Sequence, residues 1–444
     1  MVDLCVDQNF RHFKYFSALQ ALLKKENMKN NIEIMAPVGS YESLMAAIQA
    51  GAGSVYFGVE HLNMRARSAN NFTLEDLREI AKRAGKAGVK TYLTVNTVVF
   101  DEEMETLKRI IDAAREAGVS AVIASDLAVI QTCRAIGMEV HISTQLNITN
   151  YETVKFYAQF ADVMVLAREM NIGRVWEISN KIKADNLRGP GGELIRLEMF
   201  VHGALCMATS GKCYLSLHEM NSSANRGSCM QSCRRAYTVT DKETGAELEV
   251  DNEYIMSPKD LKTIHFLNKI LDAGVTVLKI EGRARSADYV KCAVECYREA
   301  ANAYLEGTFT EEKIADWDTR LATVFNRGFW DGYYLGQRLG EWSGNYGSLA
   351  TKRRVYLGKV TNFFTNISVG EIKLETGPLH PGDEIQITGP SSGVMQTIVE
   401  EVRVEMKPVD EAPKGCYCSV SVPSKVRRSD KVYKIVDASQ IKSQ

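Results

Sequence analysis

From Ile32 onward, short β-rich runs alternate with amphipathic helical stretches, and a glycine recurs where a helix gives way to the next strand. The junctions are Ala50-Gly51-Ala52-Gly53, Ala87-Gly88-Val89, Ala117-Gly118-Val119, Ile136-Gly137-Met138 and Ala273-Gly274-Val275. Glycine just past a helix, followed by a hydrophobic run, is the loop chemistry that joins helices to parallel strands. Eight strands are readable: Ile32–Pro37, Ser54–Val59, Lys90–Asn96, Ala121–Asp126, Glu139–Thr144, Val163–Arg168, Arg196–Gly203 and Val275–Arg283. Eight such units over roughly 250 residues suit a (β/α)8 TIM-like barrel. An open dinucleotide-binding sheet is the weaker alternative, because no Gly-x-Gly-x-x-Gly turn follows the first strand.

Polar residues close most of these strands: Asn96, Asp126, Thr144 with Gln145, Arg168 with Glu169, His202, and Glu281 with Arg283. In a barrel these ends converge on one face, where active sites lie, although any single one could simply begin a solvated loop. Helical periodicity stops between Leu335 and Lys352. Beyond it, Val355 to Val436 alternates in period two, with turns at Pro381-Gly382-Asp383 and Lys414-Gly415. This predicts a small C-terminal antiparallel β-barrel, resembling the second domain of translation factors. The expected organisation is an N-terminal extension over 1–31, a barrel over 32–345 with a Cys-rich insertion at 204–255 after strand 7, and the small barrel over 346–444.

Lys and Arg number 54 against 55 Asp and Glu, so no global basic field advertises nucleic acid. A local patch must serve any such partner, and Arg353, Arg354, Lys425, Arg427 and Arg428 are the candidates, with a solvated charged face as the plain alternative. No apolar run approaches the roughly 18 residues of a membrane span. The expectation is a cytoplasmic protein without a membrane partner.

Four of the ten cysteines, Cys206, Cys213, Cys229 and Cys233, fall in one short stretch, separated by six, fifteen and three residues. Thiolates are the soft ligands that iron–sulfur clusters and zinc select. Zinc knuckles favour Cys-x-x-Cys, which this chain lacks, so the wider gaps favour a cluster over zinc or unligated thiols.

The run Glu198-Met199-Phe200-Val201-His202-Gly203-Ala204-Leu205-Cys206, then Ser210-Gly211-Lys212-Cys213-Tyr214-Leu215-Ser216, closely resembles the signature of the collagenase-like peptidase family of unassigned catalytic type. The resemblance extends through Ala36-Pro37-Val38-Gly39-Ser40, Lys279-Ile280-Glu281-Gly282-Arg283 and Phe325-Asn326-Arg327-Gly328-Phe329. Within that family the sequence looks most like the tRNA-hydroxylation subgroup. That implies a 4Fe-4S cluster on Cys206, Cys213, Cys229 and Cys233, and prephenate-dependent hydroxylation of the wobble uridine of tRNA to 5-hydroxyuridine; a redox role for the cluster would call for an electron donor as a further partner. On this expectation Arg65, Arg67, Arg168 and Arg283 clamp the prephenate carboxylates, with Gln145 and Asn96 beside them. Glu169, Glu281 and His202 are the catalytic candidates. The alternatives are proteolysis, for which neither a Gly-x-Ser-x-Gly elbow nor a His-Glu-x-x-His helix is present, and a non-catalytic accessory role.

Overall fold

The computed structural model describes residues 32–67, 71–238, 240–245, 256–337, 339–344 and 347–440, so the expected extension over 1–31 lies outside the described residues. The first nine strands are β1 (Glu33–Pro37), β2 (Ser54–Phe57), β3 (Lys90–Val95), β4 (Ala121–Ala124), β5 (Glu139–Ile142), β6 (Val163–Val165), β7 (Arg196–Gly203), β8 (Asp260–Lys262) and β9 (Val275–Ile280). All but β8 form a closed parallel barrel, in which β7 pairs with β9 and β9 returns to β1 through Ile34 opposite Leu278. β8 runs antiparallel to the end of β7 and carries the two-residue strand β10 (Phe329–Trp330).

The described residues form ten α-helices about this barrel and its mouth: α1 (Tyr41–Gln49), α2 (Asp76–Lys86), α3 (Met104–Glu116), α4 (Leu127–Ala135), α5 (Tyr151–Tyr157), α6 (Ile172–Ala184), α7 (Leu215–Met220), α8 (Leu267–Asp272), α9 (Ala287–Glu306) and α10 (Glu311–Thr323). Side-chain oxygens of Ser40, Asp126, Asn150, Asn171 and Thr310 accept first-turn amides, which marks where α1, α4, α5, α6 and α10 begin. Gly118, at φ +78°, turns the chain from α3 into β4 in a conformation that a side chain would strain.

Successive strand residues point to opposite faces. Ile34, Val55 and Val122 therefore join the helices in the outer core, while their neighbours Met35, Tyr56 and Ile123 pack inside the barrel. The interior also holds charge. Lys279 Nζ pairs with Glu198 Oε1 at 2.6 Å, with side chains only 6% and 0% exposed, and Arg196 pairs with Glu33 at 2.9 Å.

The C-terminal part corrects the expected second barrel. Its strands are β11 (Lys352–Phe364), β12 (Val369–Leu374), β13 (Glu384–Gly389), β14 (Gly393–Ile398), β15 (Val402–Val404), β16 (Lys407–Val409), β17 (Tyr417–Ser421) and β18 (Lys431–Asp437). They form an open antiparallel sheet in the order β14-β13-β18-β11-β12-β17-β15-β16, with no pairing that joins β14 to β16. The physical reason lies at the edges. β14 lends its polar groups to the barrel helices, where Gln49 accepts from Val394 N at 3.1 Å and Lys291 donates to Val394 O at 3.0 Å. At the other edge, β16 has three residues and includes Pro408, which offers no amide donor.

The expected Cys-rich insertion is also corrected. The described residues after β7 make no separate module: they contribute α7 and single helical turns to the wall of the barrel mouth. Arg67 N donates to Gly227 O at 3.0 Å, Asn147 Nδ2 to Ser210 O at 2.9 Å, and Arg226 pairs with Glu103 at 2.7 Å.

Removing one partner of a buried ion pair leaves an uncompensated charge. Lys279→Met should therefore destabilise the chain by about 3–5 kcal/mol in urea unfolding, and Lys279→Met with Glu198→Leu should recover most of that loss.

Candidate active site

The C-terminal ends of the barrel strands and their following loops enclose a cavity of about 240 Å³. Glu281, in the loop that leaves β9, is part of its lining. Arg65 Nη2 donates to Glu281 Oε1 at 3.0 Å, and Tyr56 donates its hydroxyl to Oε2 at 3.1 Å. Burial pushes the Glu281 carboxyl upward, but Arg65, Arg168 and Arg283 together with the Tyr56 hydroxyl hold it below its ordinary range. It is a carboxylate at neutral pH. The backbone that places it is tightly held: Glu281 N donates to His202 O at 2.8 Å, and a Cβ on Gly203, at φ +102°, would collide with the Glu281 carbonyl.

Arg283 is 7% exposed, and its Nη1 donates to Asn63 Oδ1 and Thr94 Oγ1 at 3.1 and 3.0 Å. Burial lowers its pKa to about 10, so it remains a cation. Arg168 lies over the Phe200 ring at 4.3 Å, and its buried Nε has no hydrogen-bond partner. Asn96 donates to Ser143 Oγ at 3.1 Å and Gln145 Oε1 at 3.3 Å, which makes a polar strip along the ends of β3 and β5. Arg65, Arg168, Arg283, Gln145, Asn96 and Glu281 thus line one cavity.

Three expected site residues fall elsewhere. His202 packs among Tyr289, Tyr297 and Phe329, with ring centroids 5.5–5.8 Å away, and burial with Lys262 and Arg285 lowers its pKa to about 3. It is a neutral core histidine. Glu169 is exposed outside the cavity, and Arg67 lines a second crevice. Sequence reading missed Tyr56, Thr94 and Lys279. A lysine inside the apolar run Val275-Thr276-Val277-Leu278-Lys279-Ile280 was the available signal, since an inward-facing cation in a strand demands a partner.

Cys206, Cys213, Cys229 and Cys233 also line the cavity, as free thiols. They do not fit the expected cluster: among the described residues, no group of three or more His, Cys, Asp or Glu side chains is placed to hold a metal ion. Burial, with the neighbouring Cys206, Cys229 and Cys213, pushes the Cys233 thiol up to about 11 against the opposing charge of Arg234. The 4Fe-4S assignment is therefore corrected, and no step of the chemistry is routed through it. Arg234 instead staples the loop, donating to Ser257 Oγ at 3.0 Å and Pro258 O at 2.6 Å.

The model of peptidase family U32 matches residues 39–344. The chain belongs to peptidase family U32. It is 62% identical over 91% of its length to a protein named collagenase from Porphyromonas gingivalis, covering 98% of that relative. An uncharacterized protease of Methanocaldococcus jannaschii is 37% identical, with 90% of this chain and 98% of the relative aligned. A tRNA hydroxylation protein P1 of Bacillus subtilis is 34% identical, over 81% of this chain and 83% of the relative.

Within the U32 family the likeness thus runs more strongly to collagenase than to the hydroxylation subgroup, which corrects the expected placement and, with it, tRNA hydroxylation as the activity. Nothing in the cavity singles out prephenate, and tRNA and an electron donor fall with that reading. Two of the charges expected to meet RNA have other settings. Arg354 pairs with Asp288 at 2.9 Å and Arg353 donates to Ser348 O at 2.7 Å, both as struts near the domain junction. Lys425, Arg427 and Arg428 are exposed. Among the described residues no helix is long and apolar enough to cross a membrane.

Because the Glu281 pKa is depressed below the ordinary 4.5, its contribution to stability is complete above about pH 4.5 and lost as pH falls through the folded-state value. Glu281→Gln should cost about 2 kcal/mol at pH 7, as for hydrogen bonds to charged groups, and should flatten the acid limb of stability below pH 4.5. Urea titrations at a series of pH values measure both.

Proposed function

We propose that the chain is a peptidase that takes a protein substrate into the barrel mouth. The observation that carries this reading is the 62% identity, across 98% of its length, to a protein named collagenase. What supports it locally is a cavity containing two arginines, Arg168 and Arg283, that make no ion-pair contact with a carboxylate among the described residues, beside a carboxylate ionised at neutral pH.

In this reading the guanidinium groups of Arg168 and Arg283 polarise the scissile carbonyl and hold the oxyanion that forms on it. A low-dielectric wall strengthens such donors. Arg65 and Tyr56 use one lone pair on each Glu281 oxygen, which leaves carboxylate acceptor capacity for a water. Glu281 orients that water, accepts its proton as the water adds to the carbonyl carbon, and returns the proton to the amide nitrogen as the oxyanion collapses, the C–N bond breaks and the amine leaves. Its lowered pKa keeps it in the basic form at neutral pH. Asn96 and Gln145 offer amide groups to the substrate backbone. His202 and Glu169 take no part, because neither reaches the cavity.

The test is digestion of gelatin and of defined peptides by the purified full chain, with products identified by mass spectrometry. Arg168→Ala or Arg283→Ala should lower kcat/KM by about 10²-fold, the usual loss on removing one oxyanion donor. Absence of any cleaved bond above a protein-free blank, or full activity in Glu281→Gln, overturns the reading.

A further inference from the structure

The cavity at the barrel mouth has a floor. Beneath Tyr56, Ile123, Phe200 and Lys279, which line it, the barrel is filled by Met35, Tyr92, Val163 and Val277. At about 240 Å³ it is smaller than the roughly 300–1,000 Å³ of pockets that enclose a drug-sized molecule. A polypeptide therefore reaches into it end-on and does not run through it, and charge decides which end.

The lining carries seven cationic side chains against one carboxylate, Glu281. Three of the cations, Arg234, Arg285 and Arg327, form a group of their own. Arg285 Nη2 and Arg327 Nη1 approach separate oxygens of Asp260 at 3.6 and 3.4 Å, and the Asp260 side chain, 2% exposed, stands behind the lining. Arg234 donates to the uncharged oxygens of Ser257, Pro258 and Leu205 and has no carboxylate within ion-pair distance among the described residues. Burial lowers the pKa of Arg234 and of Arg285, Arg327 adds to the effect, and Asp260 offsets it in part. The Phe325 ring lies 3.6 Å from the Arg285 guanidinium and 5.2 Å from that of Arg327, which restricts both. Three guanidinium groups on one carboxylate leave a desolvation cost that an entering anion removes.

Unpartnered polar atoms on the same lining make a second, independent observation. Ser232 is 1% exposed and its buried Oγ has no hydrogen-bond partner; the buried Oδ1 of Asn225 has none either. A buried polar group left unpaired is costly until a ligand meets it. Ser232 supplies a hydroxyl donor for an anion, and Asn225 an acceptor for an N–H. The loop that leaves β9 ties this group to the reacting centre: Arg285 N donates to Gly282 O at 2.8 Å, so a single turn separates Arg285 from Glu281.

We propose that the cavity takes the C-terminal end of a peptide and releases its last residue, with Arg285, Arg327, Arg234 and Ser232 holding the terminal carboxylate; this rests on the peptidase reading and names its substrate class. Asn225 accepts from the amide N–H of the substrate. The anchored carboxylate leaves the last peptide bond to Arg168, Arg283 and the water held by Glu281. One water is consumed for each residue released: its oxygen enters the new carboxylate of the shortened peptide, and the amine that leaves takes the proton returned by Glu281. An N-terminal ammonium is repelled by the same lining, and an amidated end lacks the charge that the three guanidinium groups require.

The test uses two N-acetylated peptides of one sequence, one with a free C-terminal carboxylate and one amidated, incubated with the purified full chain and followed by mass spectrometry. Stepwise loss of single residues from the free end, with the amide cut at least about tenfold more slowly, supports the proposal. Cleavage at internal bonds, or equal rates for the two peptides, overturns it and leaves the peptidase reading standing. Absence of cleavage in both overturns that reading and the release step with it. The carboxylate pocket is also read without turnover, by calorimetric titration with an acetylated tripeptide acid and its amide. Binding of the acid at least about tenfold tighter supports the pocket, and equal affinities, or no saturable heat up to about 10 mM, overturn it. Arg327→Gln should weaken binding of the acid by roughly tenfold and Ser232→Ala by a few-fold, neither affecting the amide to that extent, with urea midpoints showing that the variants are folded. The comparison of acid with amide on the unaltered chain decides the matter even where a variant does not fold.

Discussion

Glu281 and Glu198 allow a group of cations to stand inside one barrel mouth. Arg65, Arg168, Arg283 and Lys279 all line the same cavity, and each is expensive to withdraw from water alone. Glu198 takes Lys279 and Glu281 takes Arg65, while Arg168 and Arg283 share the field of Glu281 without contacting it. The outcome is a cavity whose positive charge is partly compensated from within. The uncompensated part faces the cavity.

Holding that arrangement requires backbone precision at one place. The ends of β7 and β9 approach so closely at Gly203 that no side chain fits, and the Glu281 amide is bonded to the His202 carbonyl. His202 belongs to this frame. Its ring fills the space between Tyr289, Tyr297 and Phe329, and its low pKa keeps it neutral where a second cation would oppose Arg285 and Lys262.

The barrel was legible because strand period and helix-terminal glycines are local signals, and all eight of its strands lie where the periodicity put them. The cavity was legible as far as strand ends reveal it, and Arg168, Gln145, Asn96, Glu281 and Arg283 accordingly lie together on its lining. His202 was misleading because the last residues of a strand can point either into the mouth or into the wall. Cysteine spacing misled for a related reason: proximity in sequence brought four thiols to one cavity, but ligand geometry depends on how the loop is tied to Arg67, Val98 and Asn147. Period-two alternation in the C-terminal part showed strands and gave no sign of whether their sheet closes, since closure depends on what meets its edges.

A sheet left open needs something to occupy its outer strand. Unpaired β edges are templates for other chains, and many proteins blunt them with charge or bulges. Here the Gln49 side chain supplies an acceptor and a donor to Val394 N and Ser392 O, imitating the amide of a neighbouring strand. A single glutamine on a barrel helix thus works as a chain-terminating unit for the ladder. The contact that positions the appended sheet on the barrel is thus the same one that ends its ladder, so neither half is complete at that edge without the other.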